Sequence, residues 1–169
     1  MDATQYDLGT HKAMNLSKNH AGPSISSSSF GGNRIWSLDI PKKVRLLIWS
    51  AYRNVVSTKD NLHKKHVDID LECPMCGVER EFVFHCFMTC SIAPAVWLGC
   101  PLILCVSKLN EEDFATLFDS IMNNLEKEQL ELFYLLCWNL WNSRNDALWN
   151  NKGPNPHHII EHSLHFQME

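Results

Sequence analysis

Apolar residues first fall into a regular pattern after Pro41. Val44, Leu47, Ile48, Ala51 and Val55 recur at spacings of three and four, while Lys42, Lys43, Arg45 and Arg53 stay off that stripe. Such spacing marks an amphipathic helix with one buried face. Proline suits the opening turn of that helix, where its missing N–H has no partner to lose. Ser57 or Thr58 then caps a second short helix, with Asp60 in its first turn, Leu62 inward, and Lys59, Lys64 and Lys65 outward. A helical pattern resumes near Glu81 and runs to about Met88, and another covers Ser91 to about Leu98. Asn110 opens a further helix, its N-terminal dipole met by Glu111, Glu112 and Asp113. From Leu125 to Asn150 apolar residues occupy more than one side (Leu130, Phe133, Tyr134, Cys137, Trp138, Leu140, Trp141, Leu148, Trp149). That predicts a long buried helix with a break near its start, ended by Gly153-Pro154. Asn155-Pro156 starts a last helix through Gln167. No strand pattern and no internal repeat emerges, so the fold class is mainly α.

Residues 1–33 read differently. Ser24–Phe30 is SISSSSF followed by two glycines, without periodicity, and predicts a disordered leader. No apolar segment follows a basic start, so no secretory signal is expected. No apolar run approaches the roughly 20 residues of a membrane span. These absences predict a nuclear or cytoplasmic protein.

At 169 residues, with 45 % hydrophobic and 20 % charged residues, the chain suits one compact domain plus a tail. The net charge of −4 hides an asymmetry. Arg34 to His66 holds eight Lys/Arg against two acids, a net +6, whereas Val67 to Phe133 holds twelve acids against three cations, a net −9. A basic front and an acidic back fit contact with a polyanion, and they also fit two solvated helix faces.

Seven cysteines change the picture further. In a reducing compartment close cysteine spacing points to metal before disulfide, and an odd count cannot pair completely. Cys73-x2-Cys76-x8-His85-x4-Cys90 has the donor types and spacing of a tetrahedral zinc site. The C-x2-C turn brings two thiolates together, and Gly77 lets the backbone curl around them. Three sulfurs and one imidazole close the coordination shell, which implies a structural Zn2+ ion and not a catalytic one. Cys73 and Cys76 as plain thiols is the competing reading, though Asp68, Asp70 and Glu72 make a poor setting for buried cysteines. Cys86 competes with His85, because Cys86 and Cys90 at i, i+4 would share a face of a continuous helix. Other clusters carry less. Cys100, Cys105 and Cys137 lie among apolar residues and read as buried thiols. His158, His162 and His165 read as a solvated helix face, with Ile159 where a metalloprotease motif needs glutamate. Asp68 and Asp70 read as loop residues, and Trp138, Trp141 and Trp149 as helix core.

Residues 36–97 resemble the zinc-binding domain that follows the reverse transcriptase of plant non-LTR retrotransposons. The resemblance rests on Trp36-Ser-Leu-Asp-Ile-Pro41-Lys-Lys43-Val, Trp49, Ser57-Thr58-Lys-Asp-Asn61-Leu62, Cys73-Pro-Met-Cys76-Gly77, Glu81, His85, Cys90 and Trp97. More weakly, Trp138-Asn-Leu-Trp141-Asn-Ser-Arg144-Asn145 is similar to the segment that leads to a ribonuclease H domain in that family, so the whole resemblance covers about 34–168. Leu47 departs from the family's usual phenylalanine, and Cys86 from an aliphatic or aromatic residue. The resemblance favours His85 as third ligand. With the leader over 1–33, this predicts a zinc-binding domain with an irregular knuckle over 34–100 and a helical C-terminal extension packing on it over 101–169. No Tyr-x-Asp-Asp polymerase motif and no spaced acids for two-metal nuclease chemistry are present. A non-enzymatic accessory module is therefore expected. It would bind RNA or DNA with low specificity through Lys42, Lys43, Arg45, Lys59, Lys64 and Lys65, in company with a reverse transcriptase or ribonuclease H polypeptide. A zinc-stabilised protein-interaction module, or an inert remnant, is the alternative.

Overall fold

The computed structural model describes residues 35–102 and 113–167. The leader expected over 1–33, the helix start expected at Asn110 and the thiol of Cys105 lie outside these residues. Helix α1 (Lys42–Tyr52) buries Val44, Leu47, Ile48 and Ala51, four of the five stripe positions. Pro41 stands just before the helix and its carbonyl accepts from the N–H groups of Val44 and Arg45. The helix closes at Arg53, so Val55 swings out to solvent and Val56 takes the core place. No acid lies in the first turn of α1 and no side chain caps it, which leaves its positive N-terminal dipole beside Lys42 and Lys43.

Helix α2 (Lys59–Lys64) is capped by Thr58, whose hydroxyl accepts from the Asn61 N–H. Asn61 in turn donates to the backbone carbonyls of Asn54 and Val56, both at 2.9 Å, and so fixes the α1–α2 turn. The orientation expected for α2 needs correction. Lys59, expected outward, is buried at 6 % exposure with its amine on Asp70, and Leu62 is only half-buried. Asp70 is accordingly a partnered residue and not a free loop acid.

Among the described residues the only β pairing is an isolated bridge between Glu72 and Arg80. A π-helical turn α3 (His85–Thr89) follows, then α4 (Ala93–Gly99), α5 (Phe114–Asn124), α6 (Lys127–Asn150) and α7 (Pro156–Gln167). Asp113 is the cap of α5 and not a first-turn acid: its carboxylate accepts from the Thr116 N–H at 2.9 Å. The break foreseen in the long helix falls at Leu125, where Glu126 and Gln129 form a reciprocal capping box that starts α6. The helix ends at Asn151, in left-handed conformation, two residues before Gly153-Pro154. Asn155 accepts from the N–H groups of His157 and His158 and starts α7.

Helix α6 is the axis of the fold. α1, α3 and α7 pack on it, α4 bridges α3 and α7, and α5 leans on α1. Gly99 permits the close approach of α4 to α7, since a Cβ there would meet Ile160 at 2.9 Å. Aromatic rings fill the joins: Trp97 stacks on Phe133 at 5.1 Å and donates its indole N–H to the Phe87 carbonyl at 2.8 Å. Trp138 and Trp141 are half-buried, but Trp149, expected in the core, is 76 % exposed because it lies in the last turn of α6, beyond its packing partners. No helix of the described residues is long and apolar enough to cross a membrane.

One ion pair joins the two ends of this arrangement. Arg144 of α6 grips Glu81 with two bonds of 2.6 Å, and both side chains are buried. Glu81 also accepts from the Lys59 N–H at 2.8 Å, its own N–H donates to the Leu71 carbonyl, and its carbonyl accepts from the Asp60 N–H. Arg144 lies over the Trp141 ring at 4.7 Å. Removing one partner of a buried pair strands the other charge and costs roughly 3–5 kcal/mol. Arg144→Ala is expected to lower the unfolding free energy by about that amount in urea titrations, whereas Lys127→Ala, which removes the exposed cation of a surface pair with half-buried Glu131, is expected to change it by less than about 1 kcal/mol. Equal losses would show that the buried pair carries no special weight.

Candidate metal centre

The loop that carries Cys73 and Cys76 is pinned at its base. Cys73 donates its N–H to the Glu79 carbonyl at 2.7 Å, and Glu81 donates to Leu71 at 2.8 Å. Within it Gly77, at φ +66°, donates to the Cys73 carbonyl at 2.7 Å. A side chain at that φ would be strained, so glycine turns the chain tightly beneath the two sulfurs.

The second pair of donors depends on α3. An α-helix advances about 100° per residue, which would leave the fifth residue after His85 roughly 140° round the axis and away from it. Here the Cys90 N–H instead reaches the His85 carbonyl at 2.8 Å, closing an i→i+5 turn. Cys90 then leaves the helix at φ −53°, ψ 142°. The wide turn and the exit bring Cys90 back to the side of His85. It also dissolves the argument for Cys86, because the i, i+4 relation of Cys86 and Cys90 belongs to a regular α-helix. Cys86 is buried outside the donor cluster, and burial, followed by the Glu81 charge, pushes its thiol well above the ordinary range.

The result is a compact group. The donor atoms of Cys73, Cys76, His85 and Cys90 all lie within 4.8 Å of one another; Cys76 is half-buried and the other three are buried. Cys73 and Cys90 sulfurs are 3.8 Å apart, and the Cys76 sulfur is 3.5 Å from His85 Nε2. Zinc bonds of about 2.3 Å to sulfur and 2.0–2.1 Å to nitrogen at tetrahedral angles imply edges of about 3.8 Å and 3.6 Å. Both measured edges match. His85 turns its other nitrogen, Nδ1, toward the Glu79 carboxylate at 3.2 Å and the Thr89 hydroxyl at 3.4 Å. A carboxylate on Nδ1–H fixes the tautomer that leaves Nε2 free to bond a metal. The bond with Cys90, then burial, pushes the Cys73 thiol up to about 12. The same bond holds Cys90 below the ordinary thiol range. Burial works against the charged form of His85, but the Cys73 and Cys76 sulfurs outweigh it and raise His85 to about 9.

The basic residues singled out from the sequence separate into two groups. Lys42, Lys43, Lys64 and Lys65 are exposed. Lys43 sits over the Trp138 ring at 5.1 Å, and Lys64 pairs with Asp60 at 2.7 Å. Burial pushes the Asp60 carboxyl up, yet bonds from Lys64 and Arg80 hold it below the usual carboxylate range. Lys59 is buried on Asp70 and withdrawn from any surface. Arg45 is half-buried and donates to the carbonyls of Trp36 and Leu38 at 3.0 and 3.1 Å. His158, His162 and His165 are exposed on α7, and Cys100 and Cys137 are buried thiols. Sequence reasoning gave Glu79 no role and took Glu81 and Arg144 only as anchors of the family resemblance, not as partners of one another. The available signal for Arg144 was a single cation in an otherwise uncharged, apolar-rich stretch of α6, which calls for a buried partner.

Residues 11–97, just over half the chain, match the family described as zinc-binding in reverse transcriptase. A curated protein of Arabidopsis thaliana, named "Putative ribonuclease H protein", is 23 % identical over 66 residues, which are 39 % of this chain and 11 % of that protein. The chain thus spans about a tenth of the relative's length. No solved structure matches it. The matched residues include all four gathered donors, and the chain belongs to the family described as zinc-binding in reverse transcriptase.

Proposed function

We propose that Cys73, Cys76, His85 and Cys90 hold one structural zinc ion, and that the domain so fixed is a non-enzymatic accessory module that meets nucleic acid through exposed lysines. The observation that carries the zinc reading is the donor geometry, three sulfurs and one nitrogen with edges of 3.8 and 3.5 Å. Four protein donors fill a tetrahedral shell, so zinc there supplies cross-linking and no site for water. It would tie the Cys73–Gly77 turn to the end of α3, with Glu79 orienting His85. The nucleic-acid reading is supported by the exposure of Lys42, Lys43, Lys64 and Lys65 and by the uncompensated N-terminus of α1. Phosphates fit such a surface without base-specific readout. The relative's name supports a setting beside a ribonuclease H polypeptide, and the family's description supports one beside a reverse transcriptase.

Zinc removal and substitution test the centre. One zinc per chain is expected by elemental analysis. His85→Ala is expected to lose it and Cys86→Ala to keep it; the opposite pattern would reassign the third ligand. Structural zinc is worth roughly 10–16 kcal/mol in small peptides, so chelation is expected to lower the melting temperature sharply.

Zinc affinity should also follow pH in a defined direction. Without metal the Cys73 thiol stands near 12 and His85 near 9, so both carry protons at neutral pH. Metal must displace them, so affinity is expected to fall on acidification, to rise with pH through about 9, where His85 loses its proton unaided, and to go on rising less steeply toward about 12 because Cys73 is still protonated. Competition against a chromophoric chelator across that range measures this, and a flat profile would contradict the proton-loaded centre.

Charge reversal at Lys42, Lys43, Lys64 and Lys65 tests the surface. The folded, zinc-loaded variant is expected to lose most nucleic-acid binding at low salt. Wild-type affinity is expected to fall with a log–log salt slope of about −0.7 to −0.9 per phosphate neutralised. Undiminished binding by the variant would move the interface elsewhere.

A further inference from the structure

Helix α1 has a second, outward face. Lys42, Leu46, Trp49 and Arg53 recur at i, i+4, i+7 and i+11 and all are exposed, Leu46 at 54 % and Trp49 at 37 %. Trp36 is 46 % exposed and its ring lies 5.9 Å from the Arg45 guanidinium. Arg45 is one turn of α1 before Trp49, and its two bonds to the Trp36 and Leu38 carbonyls tether the Trp36 segment to this helix. Two exposed indoles therefore belong to one helix surface, with Arg45 between them. No Asp or Glu occurs from Pro41 to Arg53, while Lys42, Lys43, Arg45 and Arg53 do.

This composition discriminates among occupants. Protein–protein interfaces use Trp and Arg freely but are depleted in lysine, whereas here Lys42 and Lys43 stand beside the apolar residues and no acid lies on the helix to pair with them. Duplex nucleic acid offers phosphates but keeps its bases stacked inside. A single strand offers both what cations bind and the flat π-faces that exposed aromatic rings bind. Resting on the nucleic-acid reading above, we propose that the Trp36–Arg45–Trp49 face of α1 takes single-stranded RNA or DNA. Unpaired bases stack on Trp36 and Trp49, and the phosphates lie along Lys42, Lys43 and Arg53.

The test uses the full zinc-loaded chain and a fluorescently labelled oligothymidine of about 20 nucleotides, beside a duplex of the same length, with anisotropy read at about 50 and 200 mM salt. The wild type is expected to prefer the single strand. Trp36→Ala and Trp49→Ala are each expected to weaken that binding by roughly 5- to 150-fold, the range of one base–aromatic stack, with the salt slope unchanged. Trp49→Phe is expected to retain most affinity and Trp49→Leu, which keeps an apolar surface without a ring, to lose it. Circular dichroism and zinc content confirm that each variant is folded. Equal binding of strand and duplex, or full affinity in both alanine variants, would overturn the stacking proposal while salt-sensitive binding left the basic-lysine reading in place. Absence of any binding by the wild type at low salt would overturn both. A wild-type dimer in light scattering that Trp49→Ala disperses would reassign the face to a second copy of the chain.

Discussion

The Glu81 carboxylate is the point at which three separate stretches of chain meet. It receives the Arg144 guanidinium from α6 and the Lys59 amide from the start of α2, and its own backbone is paired with Leu71 and Asp60. A carboxylate with no solvent exposure is tolerable only with such company. The pair adds little net stability relative to apolar substitutes, since desolvation offsets most of the attraction. What it fixes is register. Sliding α6 by one residue would turn Arg144 away by about 100° and leave two opposite charges buried apart. The cysteine loop closes at Glu81 and α3 begins four residues after it, so the register of α6 and the geometry of the metal centre are set at the same residue.

That dependence explains why the C-terminal helices belong to the core and are not an appendage. The family match ends at Trp97, yet the Trp97 ring stacks on Phe133 in α6, and Phe87 of α3 lies 6.3 Å from Trp141. The four donors sit on short, irregular segments with little regular backbone pairing of their own. Without α6 their supporting aromatic residues would face water.

Much of this was legible in the sequence because it is written in local rules. Four of the five α1 stripe positions, a cap at Thr58 from the Ser57–Thr58 pair and the Asn155-Pro156 start each depend on residues within a few positions of one another, and the structure has them; it also gathers the Cys-Cys-His-Cys donors, whose spacing is a short sequence motif. Two of the departures come from contacts distant along the chain and two from local backbone choices. Lys59 turned inward because Asp70, eleven residues on, receives its amine. Val55 left the stripe when the helix closed before it. Arg144 needed a partner 63 residues away, beyond the reach of any periodicity. The π-helical turn had no signature at all, since nothing in His85–Thr89 distinguishes an i→i+5 bond from an i→i+4 one.

The same turn makes the number of residues between His85 and Cys90 a fixed count. A turn closed at i+5 has no slack: one residue fewer would favour an ordinary α-helical turn, with its better-aligned backbone bonds, and one more would carry the sulfur past the cluster. Chains that share this knuckle can therefore absorb a change of length at the exposed tip of the cysteine loop, around Val78, but not in the four residues after the histidine. Among related sequences, length variation should collect on one side of the histidine alone.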